Sequence, residues 1–244
     1  MKVKNKVIVV TGGGSGIGRE LVLSLLRRGS RVAALDINED TLNQTKELAG
    51  PENRERLSLH MIDIGNKDLI EQLPGQIIEA HGSVDAIINN AGIVQPFVKI
   101  NDLELPVIER LCHINFFGAL YMIKAFLPHL LERPSAHIVN VASMGGFISI
   151  PGQSIYGATK AAMKLLTEGL NSELTDTNVD VSIVFPGAIR TNIMSNSGLE
   201  MPEADPEQEK KFNPMDPGKA ADIIIDAMEK GKERIFVGDR KSVG

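Results

Sequence analysis

Short runs of aliphatic and β-branched residues alternate along the chain with longer stretches whose apolar positions recur every three or four residues. The short runs are Lys6–Val10, Arg31–Asp36, Leu57–Asp63, Val84–Asn89, His137–Ala142, Val179–Phe185 and Arg234–Val237. Most are continuously apolar, the pattern of parallel strands buried on both faces. Between them, Gly18–Arg28, Asp40–Ala49, Lys67–His81, Leu103–Leu131, Ser154–Asp176 and Pro217–Lys230 carry amphipathic helical spacing. Strands alternating with helices predict βαβ units and an α/β fold: a doubly wound parallel sheet of about seven strands with helices on both faces. Pro128 lies near the end of the long third-to-last helical stretch and Pro134 just beyond it, marking its stop. No repeat or linker divides the chain, so residues 1–244 are expected to form one domain. The exception is 191–216, long, proline-punctuated and partly acidic, which is expected to be a substrate lid.

Composition narrows the partners. The chain of 244 residues is 43% hydrophobic, enough for a large core, and carries a formal charge of −5. That charge, with no basic cluster, argues against nucleic acid as a partner. The N-terminal apolar run Val7–Val10 is too short for a signal-peptide core, and the longest uninterrupted run, Phe116–Ile123, is too short for a membrane span. The single cysteine, Cys112, excludes an internal disulfide and suits a reducing compartment, so a cytoplasmic location is expected. His60, His81, His113, His129 and His137 show no metal-ligand spacing, and no metal is expected.

The first candidate chemistry lies in "TGGGSGIG", Thr11–Gly18, between the first strand and the first helix. Gly12, Gly16 and Gly18 follow G-x-x-x-G-x-G rather than G-x-G-x-x-G. A glycine loop there lets backbone approach a pyrophosphate, whose charge the helix N-terminus binds. Asp36 ends the next strand, where an acid can accept hydrogen bonds from a ribose diol and repel a 2′-phosphate. Its neighbours Ser15 and Ile37 carry no positive charge, so the spacing points to NAD rather than NADP.

Further stretches accompany the loop in order: "DI" at 63–64, "NNAG" at 89–92, "HINFFG" with Asn115, "VASMGG" with Ser143, "YGATK" at 156–160 and "PGAIRT" at 186–191. With "TGGGSGIG" these motifs resemble the short-chain dehydrogenase/reductase superfamily over nearly the whole chain. The resemblance implies a Rossmann-type domain whose loop residues Gly12, Gly14, Ser15, Gly16, Ile17 and Gly18 hold the cofactor with Asp36 and Ile37. It implies that Asp63 and Ile64 flank the adenine, that Asn90, Ala91 and Gly92 lie beside the cofactor's ribose, and that Ile189 and Thr191, after Pro186–Gly187, hold the nicotinamide carboxamide. After "RIFVG" most relatives continue into a segment that helps close the pocket or a subunit contact, whereas this chain stops at "GDRKSVG".

Tyr156 and Lys160 are one helical turn apart and share a face. A free phenol has a pKa of about 10 and is a poor base near neutrality. An adjacent ammonium favours the phenolate, and an oxidised nicotinamide adds a second positive charge, so the pair reads as a tuned general acid–base. Ser143 can hydrogen-bond the reacting oxygen as charge develops. By resemblance, Lys160 also grips the nicotinamide ribose and Asn115 holds a water that links Lys160 to solvent. The expected catalytic set is Asn115, Ser143, Tyr156 and Lys160.

The expected substrate walls are Ile93–Phe97, Met144–Gln153 and the stretch after Thr191. Their apolar residues are Val94, Phe97, Met144, Phe147, Ile148, Ile150, Ile193 and Met194, with Gln95 and Gln153 as polar handles beside Ser143 and Tyr156. Such walls suit an apolar secondary alcohol or ketone. An NADP(H)-dependent carbonyl or 3-oxoacyl reductase of the same fold is the alternative. A non-catalytic nucleotide sensor or a Rossmann methyltransferase would have no use for Tyr156 and Lys160. Excess apolar surface on the helices at 103–131 and 154–176, with the resemblance, implies a homodimer or homotetramer.

Overall fold

A computed structural model describes residues 1–200 and 214–238. Its strands are β1 (Val7–Thr11), β2 (Arg31–Asp36), β3 (Leu57–Met61), β4 (Ala86–Asn89), β5 (Ala136–Val141), β6 (Val179–Pro186) and β7 (Arg234–Val237). The helices are α1 (Gly16–Arg27), α2 (Glu39–Ala49), α3 (Lys67–His81), α4 (Leu105–Cys112), α5 (Ala119–Leu131), α6 (Ser154–Glu173), α7 (Ile193–Asn196) and α8 (Pro217–Glu229). All seven strands are parallel, in the order β3-β2-β1-β4-β5-β6-β7. The chain therefore runs outward in one direction from β1 and in the other from β4, and a topological switch separates these neighbours.

Burial explains the continuous apolar runs, because each strand meets a helical layer on either side. Ile8, Val10, Val32 and Ala34 pack under Leu21 and Leu25 of α1 and Ile224 and Ile225 of α8. Val9, Leu35, Ile87 and Ile138 face Leu73 and Ile77 of α3, Met122 and Phe126 of α5 and Leu170 of α6. Caps fix several helix starts. Asn38 accepts from the Thr41 N–H, Asn66 from those of Asp68 and Leu69, and Asp216 from that of Lys219, just before Pro217.

The long apolar stretch at 103–131 differs from a single helix. Between α4 and α5, His113–Gly118 forms a widened π turn, the kind of irregularity that recurs at functional sites. Leu105–Leu131 as a whole is long and apolar enough to cross a membrane by length and composition. Here its apolar face packs into the core: Leu111 of α4 is buried, as are Met122, Ile123, Phe126 and Leu130 of α5. Pro128 lies near the end of α5, inside its last turn, and Pro134 follows the helix. The expected lid begins with α7, while residues 201–213 lie outside the described residues, as do the last six, 239–244.

One buried charge site gives the fold a pH dependence. His137 on β5 is fully buried, with Nε2 2.7 Å from Ser182 Oγ. The Ser182 hydroxyl donates to the Lys232 carbonyl at 2.6 Å, so the imidazole Nε2–H donates to Ser182 and Nδ1 is the bare nitrogen. Nδ1 has no hydrogen-bond partner; Asp180 Oδ2, which also binds the Met1 ammonium, is 3.8 Å away. Burial lowers the His137 pKa to about 4, against the opposing pull of Asp180. Between the unfolded value of about 6.5 and the folded value, the unfolded chain binds the extra proton, so stability falls as pH falls through that window. Replacing His137 by Gln removes one proton from this linkage. Urea unfolding measured across the window then shows a slope shallower by up to about 1.4 kcal/mol per pH unit.

Candidate active site

The carboxyl ends of β1, β2, β4, β5 and β6 open into one cavity of about 700 Å³. Thr11 holds the two strands at the switch point together. Its hydroxyl oxygen accepts from the N–H groups of Asn90 and Ala91, both at 3.0 Å, and its carbonyl accepts from the Asn90 side chain at 3.0 Å. The glycine loop and "NNAG" are thus fastened to each other at the cavity floor.

The loop itself is built by close approach. Gly16, at φ +52, opens α1 in a conformation that favours glycine. A Cβ on Gly18 would fall 1.9 Å from the Gly12 carbonyl oxygen, so α1 can start against the loop only without a side chain there. Gly14 donates its N–H to Asp36 Oδ2 at 2.9 Å, and Asn38 donates to Asp36 Oδ1 at 3.1 Å. Each carboxylate oxygen retains accepting capacity towards the cavity, which Asp36 lines with Gly12, Ser15, Gly16, Ile17 and Ile37. Gly14 and Gly18 shape the loop but do not line the cavity, a difference from the sequence expectation that follows from this packing. Arg19, one turn into α1, donates to the carbonyls of Gly14 and Thr41 and to Thr45 and Gln44, so its charge is spent on holding the loop.

Asp63, Ile64, Asn90, Ala91 and Gly92 line the same cavity, as do Pro186, Gly187, Ile189 and Thr191. The bare faces of these glycines and the accepting carboxylate of Asp36 fit a dinucleotide laid across the strand ends. Asn38, Thr41 and Ile114 also line this region, and sequence reasoning missed them. Arg110 and Lys160 are the cationic side chains among the lining residues.

Ser143, Tyr156 and Lys160 line the same cavity. Ser143 follows β5 and accepts the Gly145 N–H at 3.0 Å, which holds its oxygen at the start of a short turn. Lys160 is almost completely buried; its ammonium donates to the Val141 carbonyl at 3.1 Å and stands 5.8 Å from the centre of the Tyr156 ring. Burial lowers the Lys160 pKa to about 8.

The expectation that Lys160 depresses the Tyr156 pKa is not what the structure gives. Burial pushes the phenol above its ordinary value, and a hydrogen bond with Ser143 draws it only partly back. The physical reason is desolvation: both groups leave water, and each is driven towards its neutral form.

Asn115 is buried behind the cavity lining; its Oδ1 accepts from the Ile93 N–H at 2.8 Å, and its Nδ2 donates to the Ile93 carbonyl at 2.9 Å and Thr159 Oγ1 at 3.2 Å. The expected substrate wall changes. Gln95 and Gln153 are not polar handles on the cavity. They are buried against each other, with the Gln153 side chain donating to the Gln95 carbonyl at 2.8 Å. Met194 is not among the lining residues, although Ile193 and Asn196 of the same short helix are. Of the other apolar candidates, Val94, Met144, Ile148 and Ile150 line the cavity, whereas Phe97 and Phe147 stand exposed outside it.

The described residues hold no cluster of three His, Cys, Asp or Glu side chains that could ligate a metal. The family model of the short chain dehydrogenases matches residues 6–201. This chain belongs to that family. SadH of Mycobacterium tuberculosis, an oxidoreductase by its name, is 34% identical over 245 residues, covering 96% of this chain and 87% of the relative. A short-chain dehydrogenase from Streptomyces avermitilis superposes with a TM-score of 0.84 at 30% identity, over 98% of this chain and 90% of that one. A family member from Burkholderia phymatum, solved with NAD, gives 0.88 at 25% identity, over 97% and 90%. The short-chain dehydrogenases use nicotinamide cofactors, and this chain is an oxidoreductase of their fold.

The close approach at Gly18 is testable. Gly18→Ala drives a methyl into the Gly12 carbonyl, and overpacking of this kind costs about 1–3 kcal/mol. Thermal unfolding should show the loss, and fluorescence titration should show binding of the reduced nicotinamide cofactor weakened at least tenfold, because the loop is displaced with the helix.

Proposed function

We propose that the protein transfers a hydride between NAD(H) and an apolar secondary alcohol or ketone, with Tyr156 as general acid–base. One observation carries the reading: Ser143, Tyr156 and Lys160 line the same cavity as the glycine loop and Asp36. Bound there, the nicotinamide cofactor would supply or accept the hydride and, when oxidised, add a positive charge near the phenol.

The chain's own residues have separable tasks. The Tyr156 oxygen gives its proton to a carbonyl being reduced or takes one from an alcohol being oxidised. Ser143 hydrogen-bonds the same substrate oxygen and orients it. Lys160 keeps an ammonium beneath the cavity below pH of about 8 and loses it above. Asn115 acts behind them by holding the loop at Ile93, with Thr159 between it and α6. The apolar lining from Val94, Met144, Ile148, Ile150 and Ile193 supports an apolar substrate body. Residues 191–216 are proposed as the lid over it, starting with α7, where Asn196 donates to Ser15 Oγ at 2.7 Å across the cavity.

NAD preference rests on Asp36. Among the described residues no lysine or arginine lines the cavity beside it, and Arg19 is committed to the loop. A homodimer or homotetramer is proposed from the exposed Leu105 and Leu165 on α4 and α6, which add apolar surface outside the sheet core. A cytoplasmic location is proposed from the lone Cys112.

Two variants test the reading. Tyr156→Phe should abolish turnover of a panel of apolar secondary alcohols with NAD while leaving NADH affinity within threefold. Wild-type turnover in that variant would rule out Tyr156 as the acid–base. Asp36→Ala combined with Ile37→Arg should raise the NADPH-to-NADH affinity ratio at least tenfold in fluorescence titrations. An unmoved ratio, or a wild-type preference for NADPH, would show that Asp36 does not select the cofactor.

A further inference from the structure

The first turn of α6 carries Tyr156, yet it supplies no cap of its own. Gln153, at the cap position, makes no side-chain hydrogen bond to the helix, and the first turn holds no acidic residue. The N–H groups of Ile155 and Tyr156 nonetheless have a partner. Both donate, at 3.0 and 2.9 Å, to the side-chain oxygen of Gln95, sixty residues upstream in the loop after β4. The Gln95 side-chain nitrogen donates to the Gly152 carbonyl at 2.9 Å, and the Gln95 carbonyl accepts from the Gln153 side chain. Four hydrogen bonds therefore lock this loop to the turn that begins α6.

We propose that Gln95 is a positioning residue for the acid–base tyrosine, acting as a remote cap that seats Tyr156 in the active site. The inference rests on the proposed role of Tyr156 but concerns a residue that touches neither substrate nor cofactor. Gln95 is fully buried and lies outside the cavity lining. A buried carboxamide costs stability unless its donors and acceptor are used, and here both ends are. Its oxygen accepts from the backbone of Tyr156 itself, so the position of that oxygen sets where the ring enters. The ring lies close to Gly145, where an added Cβ would sit 3.3 Å from Tyr156 Cε1. Tyr156 is partly buried in this seat, and release of the first turn would give its ring more water.

The chain contains two tyrosines and no tryptophan, which makes the seat readable without turnover. In a Tyr121→Phe background, the ultraviolet absorbance of tyrosinate reports Tyr156 alone, with circular dichroism at each pH to confirm the folded state. In that background the phenol should ionise above the free value of about 10. Gln95→Met removes the acceptor at similar volume, and the midpoint should move down by about half a unit or more towards the free value. Gln95→Glu keeps an acceptor for both N–H groups and adds negative charge, so its midpoint should stay at or above the parent's. An unchanged midpoint in Gln95→Met, with only a lower melting temperature, would overturn the proposal and leave Gln95 as a packing residue. If Gln95→Met does not fold, Gln153→Met breaks a single bond of the lock; a smaller downward shift supports the proposal and no shift overturns it. Because the titration uses no substrate, it stands or falls separately from the Tyr156→Phe turnover test.

Discussion

The site depends on one topological constraint: β1 and β4 are neighbours, but the chain leaves them in opposite directions. The segments that follow these strands must diverge, and the sheet opens between them. A gap of this kind exposes backbone polar groups at two strand ends. Thr11 meets that demand, since its hydroxyl accepts both N–H groups of Asn90 and Ala91 while its carbonyl accepts the Asn90 side chain. The glycine loop can then pass over β1 with its backbone bare, because α1 begins so close to the loop that only glycine fits at position 18. Crevice, loop and helix start are one packing solution, and the cavity follows from it.

The second determinant is dryness. Tyr156 and Lys160 are close enough to influence each other, but both sit in low dielectric, where loss of hydration outweighs a cation at this separation. The phenol rises and the amine falls, each towards neutrality. At neutral pH the resting protein keeps a protonated phenol and a charged amine whose ammonium is anchored to the Val141 carbonyl. Desolvation lowers the Lys160 pKa only to about 8, so its charge persists at neutral pH and is available to any group that brings electron density into the cavity. An acid–base pair poised this way is electrostatically incomplete until the cavity is filled.

Fold and cavity floor were legible in the sequence for a physical reason. Parallel strands covered on both faces must be apolar throughout, so Val7–Val10 and Val32–Leu35 announce themselves without regard to their neighbours. Glycines at 12, 16 and 18 are required by backbone geometry, and Asp36 by its place at a strand end, so both carry a local signature. What escaped was everything decided by distant contacts. The π turn at His113–Gly118 has no periodicity of its own, and Asn38, Thr41 and Ile114 line the cavity only because the helices bring them there. Gln95 and Gln153 read as polar handles because a glutamine in an apolar wall has two meanings, ligand contact or buried cap. Only the three-dimensional path of the loop after β4 separates them. The direction of the Tyr156 shift was misjudged in the same way: spacing along α6 gives the distance to Lys160 but not the water content of its surroundings.

The loop after β4 connects these themes. Ile93 is clasped by the side chain of Asn115, whose amide also donates to Thr159. The Thr159 hydroxyl in turn donates to the Tyr156 carbonyl at 2.8 Å. Two residues on, Gln95 engages the Tyr156 N–H from the other side. The peptide groups flanking one side chain are therefore tied, by separate routes, to a loop that leaves the sheet beside the switch point. Hydrogen bonds of this kind are individually modest, but a buried network is directional and its members constrain one another. Such a network transmits the geometry of the sheet edge to a helix that lies far along the sequence. It explains how α6 can carry a proton-transferring group in its first turn, normally the least constrained part of a helix, without a cap of its own.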